Sequence, residues 1–198
     1  ILTFFAIFVL VSCKGKQGSH RTYDGQTIYD IMADQDTTLN AILNEVVEDT
    51  IIKVTYVTDG TQDMFNIKDA VESNMIHGQL NPGDSLAIMP LGNTKSLKSL
   101  INLSELLGLW LFKGGDGSGF NLLPNGCAMG VGQVDDICLK QWFVHNGMLI
   151  ITYIPADGSD YVERADTTLI EKLNDNELSV VLNGIDHVCK HQTEIITK

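Results

Sequence analysis

The sequence predicts a mainly β protein: a small N-terminal β-barrel followed by a second, antiparallel barrel, both behind a short apolar leader. Three observations carry this. β-branched and aromatic runs of four to eight residues recur along the chain. Turn pairs such as Asp59-Gly60, Asn125-Gly126 and Asn146-Gly147 separate them. After residue 103 the runs follow one another at short, regular spacing, the pattern of an antiparallel sandwich or barrel.

The chain opens with twelve residues that carry no charge, Ile1 to Ser12, and then Cys13. This length suits a secretory leader and falls short of the roughly 20 apolar residues that span a bilayer. No initiator Met or basic stretch precedes it, so the chain is read as starting a few residues into its leader. Leu10-Val11-Ser12-Cys13 resembles the lipobox of bacterial lipoproteins, in which the cysteine is acylated and becomes the new amino terminus. The resemblance implies residues 1–12 as signal peptide, Cys13 as the lipidation site and 13–36 as lipidated tether and linker. Lys14-Gly15-Lys16-Gln17-Gly18-Ser19 reads as flexible tether.

Residues 37–102 are expected to form the small β module. Thr50–Val57 is a strand, Asp59-Gly60 a turn and Met64–Ile67 the answering strand. Lys68 to His77 is the expected helix. Asn81-Pro82-Gly83-Asp84 is a turn ahead of the strand Ser85–Met89. Residues 39–47 fit either a helical face or a strand. About five strands suggest an OB-type barrel by analogy of strand count.

Residues 103–198 are expected to form the second barrel. Its strands are Leu109–Lys113, Phe120–Leu123, Cys127–Gly130, Leu139–His145, Met148–Tyr153, Tyr161–Arg164, Thr167–Leu173 and Leu178–Leu182, with 185–191 closing it. Asn146-Gly147 is the strongest hairpin signal, because a two-residue turn of this type requires positive φ at both positions.

Gly108-x-Trp110, then Phe120-x-Leu122-x-Pro124-Asn125-Gly126, then Trp142 and Gly147-x-Leu149-x-Ile151 together resemble the lipocalin-like domains of small Bacteroidetes lipoproteins. The segment before them is similar to the module that often precedes such domains. The resemblance implies that Trp110 packs across the barrel bottom and that Gly108, Trp142 and Gly147 are structural motif residues. It also implies a small apolar or amphipathic ligand. Lys190 is the only basic partner for Trp110 visible near the last strand. With strands this short, the reading favours a barrel filled by side chains over an open lumen.

Composition narrows the function classes. The formal net charge is −12, with −5 on residues 13–102 and −7 on 103–198. No basic cluster extends beyond the tether, so nucleic-acid binding is not expected. With Cys13 taken by lipid, Cys127, Cys138 and Cys189 remain. Any one pair among them, or three buried thiols, is compatible with export.

Asp186-His187-Val188-Cys189-Lys190-His191 would place His187, Cys189 and His191 on one face of a strand. Structural zinc usually takes four ligands and no fourth is visible, so no metal is expected. Gly114–Gly119 lacks the helix and lysine of a phosphate loop and reads as a hairpin loop. Asp135-Asp136 and Asp157/Asp160 read as solvated turn carboxylates, His145 as a surface residue, and His77 as lacking a nameable partner. No catalytic residues, cofactor or enzyme activity are expected. The expected function is a membrane-anchored ligand-binding lipoprotein of the cell envelope. The alternative is a non-catalytic subunit that docks on another envelope protein. Lys-Gly-Lys after Cys13, with no acidic cluster, favours the periplasmic face of the outer membrane over surface export.

Overall fold

The computed structural model describes residues 35–156 and 163–192. The chain is mainly β, with fifteen strands and two short helices among the described residues. No helix there is long and apolar enough to cross a membrane.

The N-terminal sheet is built from β1 (Leu39–Val47), β2 (Ile51–Tyr56), β3 (Gln62–Asn66), β4 (Ile76–His77), β5 (Ser85–Pro90) and β6 (Leu97–Asn102), in the order β3-β2-β1-β5-β6-β4. The ambiguous segment 39–47 is therefore a strand. It pairs with β2 on one side and β5 on the other, and this tertiary pairing outweighs a helical periodicity of only nine residues. The end of β3 reaches the start of β6 through a parallel bridge, Asn66 to Ser96, and Asn66 N donates to Lys95 O at 2.7 Å. The sheet thus curls so that β3 meets the start of β6, with β4 added at one edge.

The expected helix 68–77 is shorter than the sequence suggested. Helix α1 spans Lys68–Glu72. Asn74 then takes a left-handed φ of 54°, and Ile76–His77 pairs in parallel with β6.

Helix α2 (Leu103–Leu106) joins this module to the next. Asn102, fully buried, caps it by accepting from Glu105 N at 3.2 Å. Its side-chain amide also donates to Gln79 O (2.6 Å) and Asp84 Oδ2 (2.8 Å). One side chain thereby ties the Asn81–Asp84 turn to the start of α2, satisfying donors that a helix start otherwise leaves unpaired.

The second module comprises β7 (Gly108–Phe112), β8 (Gly119–Leu122), β9 (Ala128–Val131), β10 (Ile137–His145), β11 (Met148–Pro155), β12 (Arg164–Thr168), β13 (Leu173–Asn174), β14 (Glu177–Leu182) and β15 (Ile185–Gln192). The ladders form two sheets, β13-β14-β15-β7-β8-β9 and β10-β11-β12. Two seams join them. At the first, Cys127 bridges to Gln141 and Trp142 N donates to Gly126 O at 2.8 Å.

The second seam, between β12 and β14, uses side chains where main-chain pairing is missing. Val181 N donates to Thr168 Oγ1 at 2.9 Å, and Asn183 N donates to Asp166 Oδ2. Thr168 and Asp166 share a face because they are two apart on a strand, as are their two partner amides. Buried polar side chains here replace ladder carbonyls as acceptors, which satisfies the amides. The expected strand Thr167–Leu173 is not one strand. Thr167 and Thr168 end β12, and pairing resumes only at Leu173. Tyr161, Asp157 and Asp160 lie outside the described residues.

The modules share a core. Ala87 and Ile101 pair across β5 and β6 and pack into the same apolar cluster as Leu106, Trp110 and Leu178. The opposite face of β5 and β6 supplies Leu86, Ile88 and Leu100 to the N-terminal cluster. This two-sided burial explains the run of four buried residues at the end of β6.

Candidate functional site

Two regions can be compared as a ligand site: the interior of the second module and the joint between the modules.

Trp110 is fully buried. Its indole N–H donates to Leu106 O at 2.9 Å, and the His191 ring lies over it with centroids 4.5 Å apart. The partner of Trp110 is therefore His191 rather than Lys190, which points outward and is exposed. His191 pairs directly with Trp110 across β15 and β7, so both side chains project from the same face. Lys190, one residue earlier, must project from the other. Gly108 makes room for this ring. A Cβ there would sit 2.6 Å from His191 Nε2, and its φ is +113°.

His187 and Cys189 project inward with His191, as their spacing predicts. His187 stacks on Phe112 at 4.3 Å, and its Nε2 lies 2.7 Å from Asp135 Oδ2. Asp135 is thus a partner of an inward-facing imidazole and not only a turn carboxylate. Burial pushes the Cys189 thiol up to about 12, so it packs as a neutral thiol. Among the described residues no group of three or more His, Cys, Asp or Glu side chains is placed to hold a metal ion. Cys127, Cys138 and Cys189 are all free thiols. Cys138 faces out of β10 while Cys189 faces in, so the barrel wall separates them.

The rest of the interior is occupied. Phe120, Leu149, Ile151, Leu178, Val180 and Leu182 are each at most 2% exposed and belong with Trp110 to one cluster. Trp142 closes the first seam, donating through its indole N–H to Leu123 O at 2.9 Å. Large apolar side chains on facing strands fill the volume that an open carrier would leave for ligand.

A nine-strand antiparallel meander, wrapped on itself with a Gly-x-Trp strand buried at one end, is now in view. Residues 103–192 match a family model described as lipocalin-like. The match covers a little under half of the chain. No curated protein and no solved structure matches it. The lipocalin-like domain carries a fold suited to small ligands, but in this chain its interior is a packed core.

The joint offers the space that the interior lacks. The Asn146-Gly147 turn at the tip of the β10–β11 hairpin takes φ of 49° and 72°, as the dipeptide predicts, and it docks on the N-terminal module. A Cβ on Gly147 would lie 2.5 Å from Ser99 Oγ and 3.3 Å from Met89 Sδ. Residues 35–38 strap this turn in place. Asn146 Oδ1 accepts from Thr37 N and Thr37 Oγ1, each at 2.9 Å. Asn146 N donates to Asp36 Oδ1 at 3.0 Å, and Asn146 Nδ2 donates to Gln35 O at 3.2 Å.

Partial burial alone would raise the Asp36 pKa. Hydrogen bonds from Asn146 and Thr38, with His145 nearby, hold it below the ordinary carboxylate range instead. His145 is 3% exposed, with Nδ1 3.6 Å from Asp36 Oδ2. The surface placement expected for His145 is therefore wrong. Its hairpin is an internal joint and not a free tip, and nothing local in the sequence marks the docking. His77 is also buried, and burial lowers its pKa. His20 and Cys13 lie outside the described residues.

Beside the docked turn lies an open cleft of about 720 Å³, lined by Met75, Met89 and Lys98 to Ser99 from the N-terminal module. The lipocalin-like domain supplies Asn146 to Met148 and Leu169, and the strap supplies Gln35 and Thr37. Its volume falls within the usual ligand-site range of about 300–1,000 Å³. Sequence reasoning missed this site because its lining comes from segments far apart in the chain. The clustering of methionines appears only in three dimensions.

Proposed function

We propose that this chain is a lipid-anchored protein of the bacterial cell envelope that holds a small apolar or amphipathic ligand at the joint between its two modules. The observation that carries the reading is the methionine-lined cleft beside a lipocalin-like domain whose own interior is full. Methionine is flexible and polarisable and adapts to apolar ligands of varied shape.

The anchor reading rests on the lipobox-like sequence ending in Cys13. Each buried CH₂ of an acyl chain contributes about 0.8 kcal/mol, so two or three chains hold a protein on a membrane where one does not. The periplasmic face of the outer membrane is the proposed location, from the Lys-Gly-Lys that follows Cys13. The strap that lines the cleft follows the tether in sequence, which supports a site close to the anchored end of the chain. The proposed role is carriage or retention without catalysis.

Cys13→Ser is expected to move the protein from the membrane fraction to the soluble fraction. Organic extraction of the wild-type protein should then release a stoichiometric apolar compound. A variant that stays membrane-bound would remove the anchor reading. A wild-type extract with no such compound would remove the carrier reading and favour docking on an envelope protein.

A further inference from the structure

We propose that the joint cleft selects a ligand with an anionic head on one flexible alkyl chain, the head resting at Lys98 and the chain among Met75, Met89, Met148 and Leu169. This rests on the reading of the cleft as the ligand site and adds the chemistry of what it takes.

The apolar half of the cleft is a convergence of methionines. The chain has six, and three of them line this one cleft from three separate strand or loop segments. All three are half-buried: Met75 leans on the N-terminal core and Met148 on the Ile150–Ala165 cluster, while each also faces the cleft. Unbranched thioether side chains conform to an unbranched, mobile chain better than rigid β-branched residues do. A branched or ring-shaped ligand gains less from such a surface.

The polar half is a charge out of keeping with its surroundings. The chain has 25 acids against 13 bases, yet among the described residues the only charged one lining the cleft is Lys98. Five other lysines are matched to carboxylates: Lys53 to Glu45, Lys68 to Glu72, Lys95 to Asp63, and Lys113 and Lys172 both to Glu177. The Lys98 side chain has no ion pair or hydrogen bond among the described residues. On the adjoining strap, Asp36 Oδ1 accepts from Asn146 N and Thr38 N, and its Oδ2 faces His145 Nδ1 at 3.6 Å.

The rim amide and hydroxyl of Asn146 and Thr37 are bonded to each other. A cationic ligand would find no carboxylate among the described lining residues. An anion finds one ammonium with no partner among the described residues, beside an apolar trough. Carboxylate and phosphate heads share this chemistry.

The test uses the full chain labelled with ¹³C at its methionine methyls, titrated with dodecanoate, dodecyl phosphate, dodecanol and dodecyltrimethylammonium below their aggregation concentrations. The expected result is saturable shifts at Met75, Met89 and Met148 with either anion, and none at exposed Met64 and Met129. Lys98→Gln, at an exposed position, should weaken anion binding about fivefold, the span of a solvent-exposed ion pair, and leave dodecanol unchanged.

If dodecanol or the cation binds as tightly as the anions, or Lys98→Gln changes nothing, the anionic class is overturned while the cleft remains a ligand site. If the cleft methionines do not respond to any probe, the cleft reading falls as well. Shifts at Met64 and Met129 as large as those in the cleft would show nonspecific adsorption and overturn both.

Discussion

Trp110→Ala should cost about 4 kcal/mol of stability, within the range for deleting a large buried aromatic side chain. Trp110 is the largest fully buried side chain in the protein and sits where β7, β8 and β15 meet α2. Its removal leaves a cavity beneath the His191 ring and strips Leu106 O of the indole N–H that it accepts. The two modules share this core through Ala87 and Ile101, so the loss should be felt as one cooperative transition. In thermal unfolding, a protein of this size shifts by roughly 2–4 °C per kcal/mol, so the midpoint should fall by about 10 °C. Trp110→Phe refills most of the volume but not the hydrogen bond and should cost about 1–2 kcal/mol. A drop of under a degree for Trp110→Ala would mean that the interior is loose, and would reopen it as a ligand site.

Gly147→Ala tests the joint. The residue sits at φ +72°, where an L side chain costs roughly 1–2 kcal/mol. Its Cβ would also meet Ser99 Oγ at 2.5 Å. Ser99 is 2% exposed and has little room to move, so the turn must shift away from the N-terminal module. A total cost of about 3 kcal/mol is expected, measured by denaturant titration. The double variant with Ser99→Gly should recover the steric part and leave the backbone strain, giving a coupling of about 1 kcal/mol. Additive effects would mean that the turn does not rest on Ser99 in solution. Because Met89 and Met148 flank the same contact, the single variant should also distort the cleft and weaken whatever it holds.

Much of the fold was legible because local chemistry and tertiary structure agree. Asn146-Gly147 demands positive φ at both positions and forms the turn it announces. The strand runs of the second module alternate or bury as a meander must, and Gly108-x-Trp110 locates the buried end. Legibility failed where a strand's partner, and not its own pattern, decided the outcome. Strand β6 went unrecognised because Lys95 to Asn102 mixes polar and apolar residues without alternation, the result of burying both faces against two different cores. The helix after β3 stops at Glu72 because Ile76–His77 has a parallel partner that no local signal foretells.

The candidate site was less legible still. Met75, Met89, Lys98, Met148 and Leu169 have no spacing in common. Each reads singly as ordinary core or surface, and only docking of one hairpin tip on another module brings them together. The His187–Cys189–His191 alternation shows the converse. Its geometry came out as period two requires, yet the face it marks is a packed interior where the thiol stays protonated.

The proposed ligand sits at the joint and not inside the lipocalin-like domain. Native mass spectrometry of the protein purified without detergent from the cells that make it, as wild type and as Leu169→Trp, distinguishes the two. Leu169 is 36% exposed and faces the cleft, so a tryptophan there fills the space without entering either core. A discrete bound mass is expected on the wild type and is expected to be absent from Leu169→Trp. Retention of the same mass by Leu169→Trp would place the ligand elsewhere and contradict the claim.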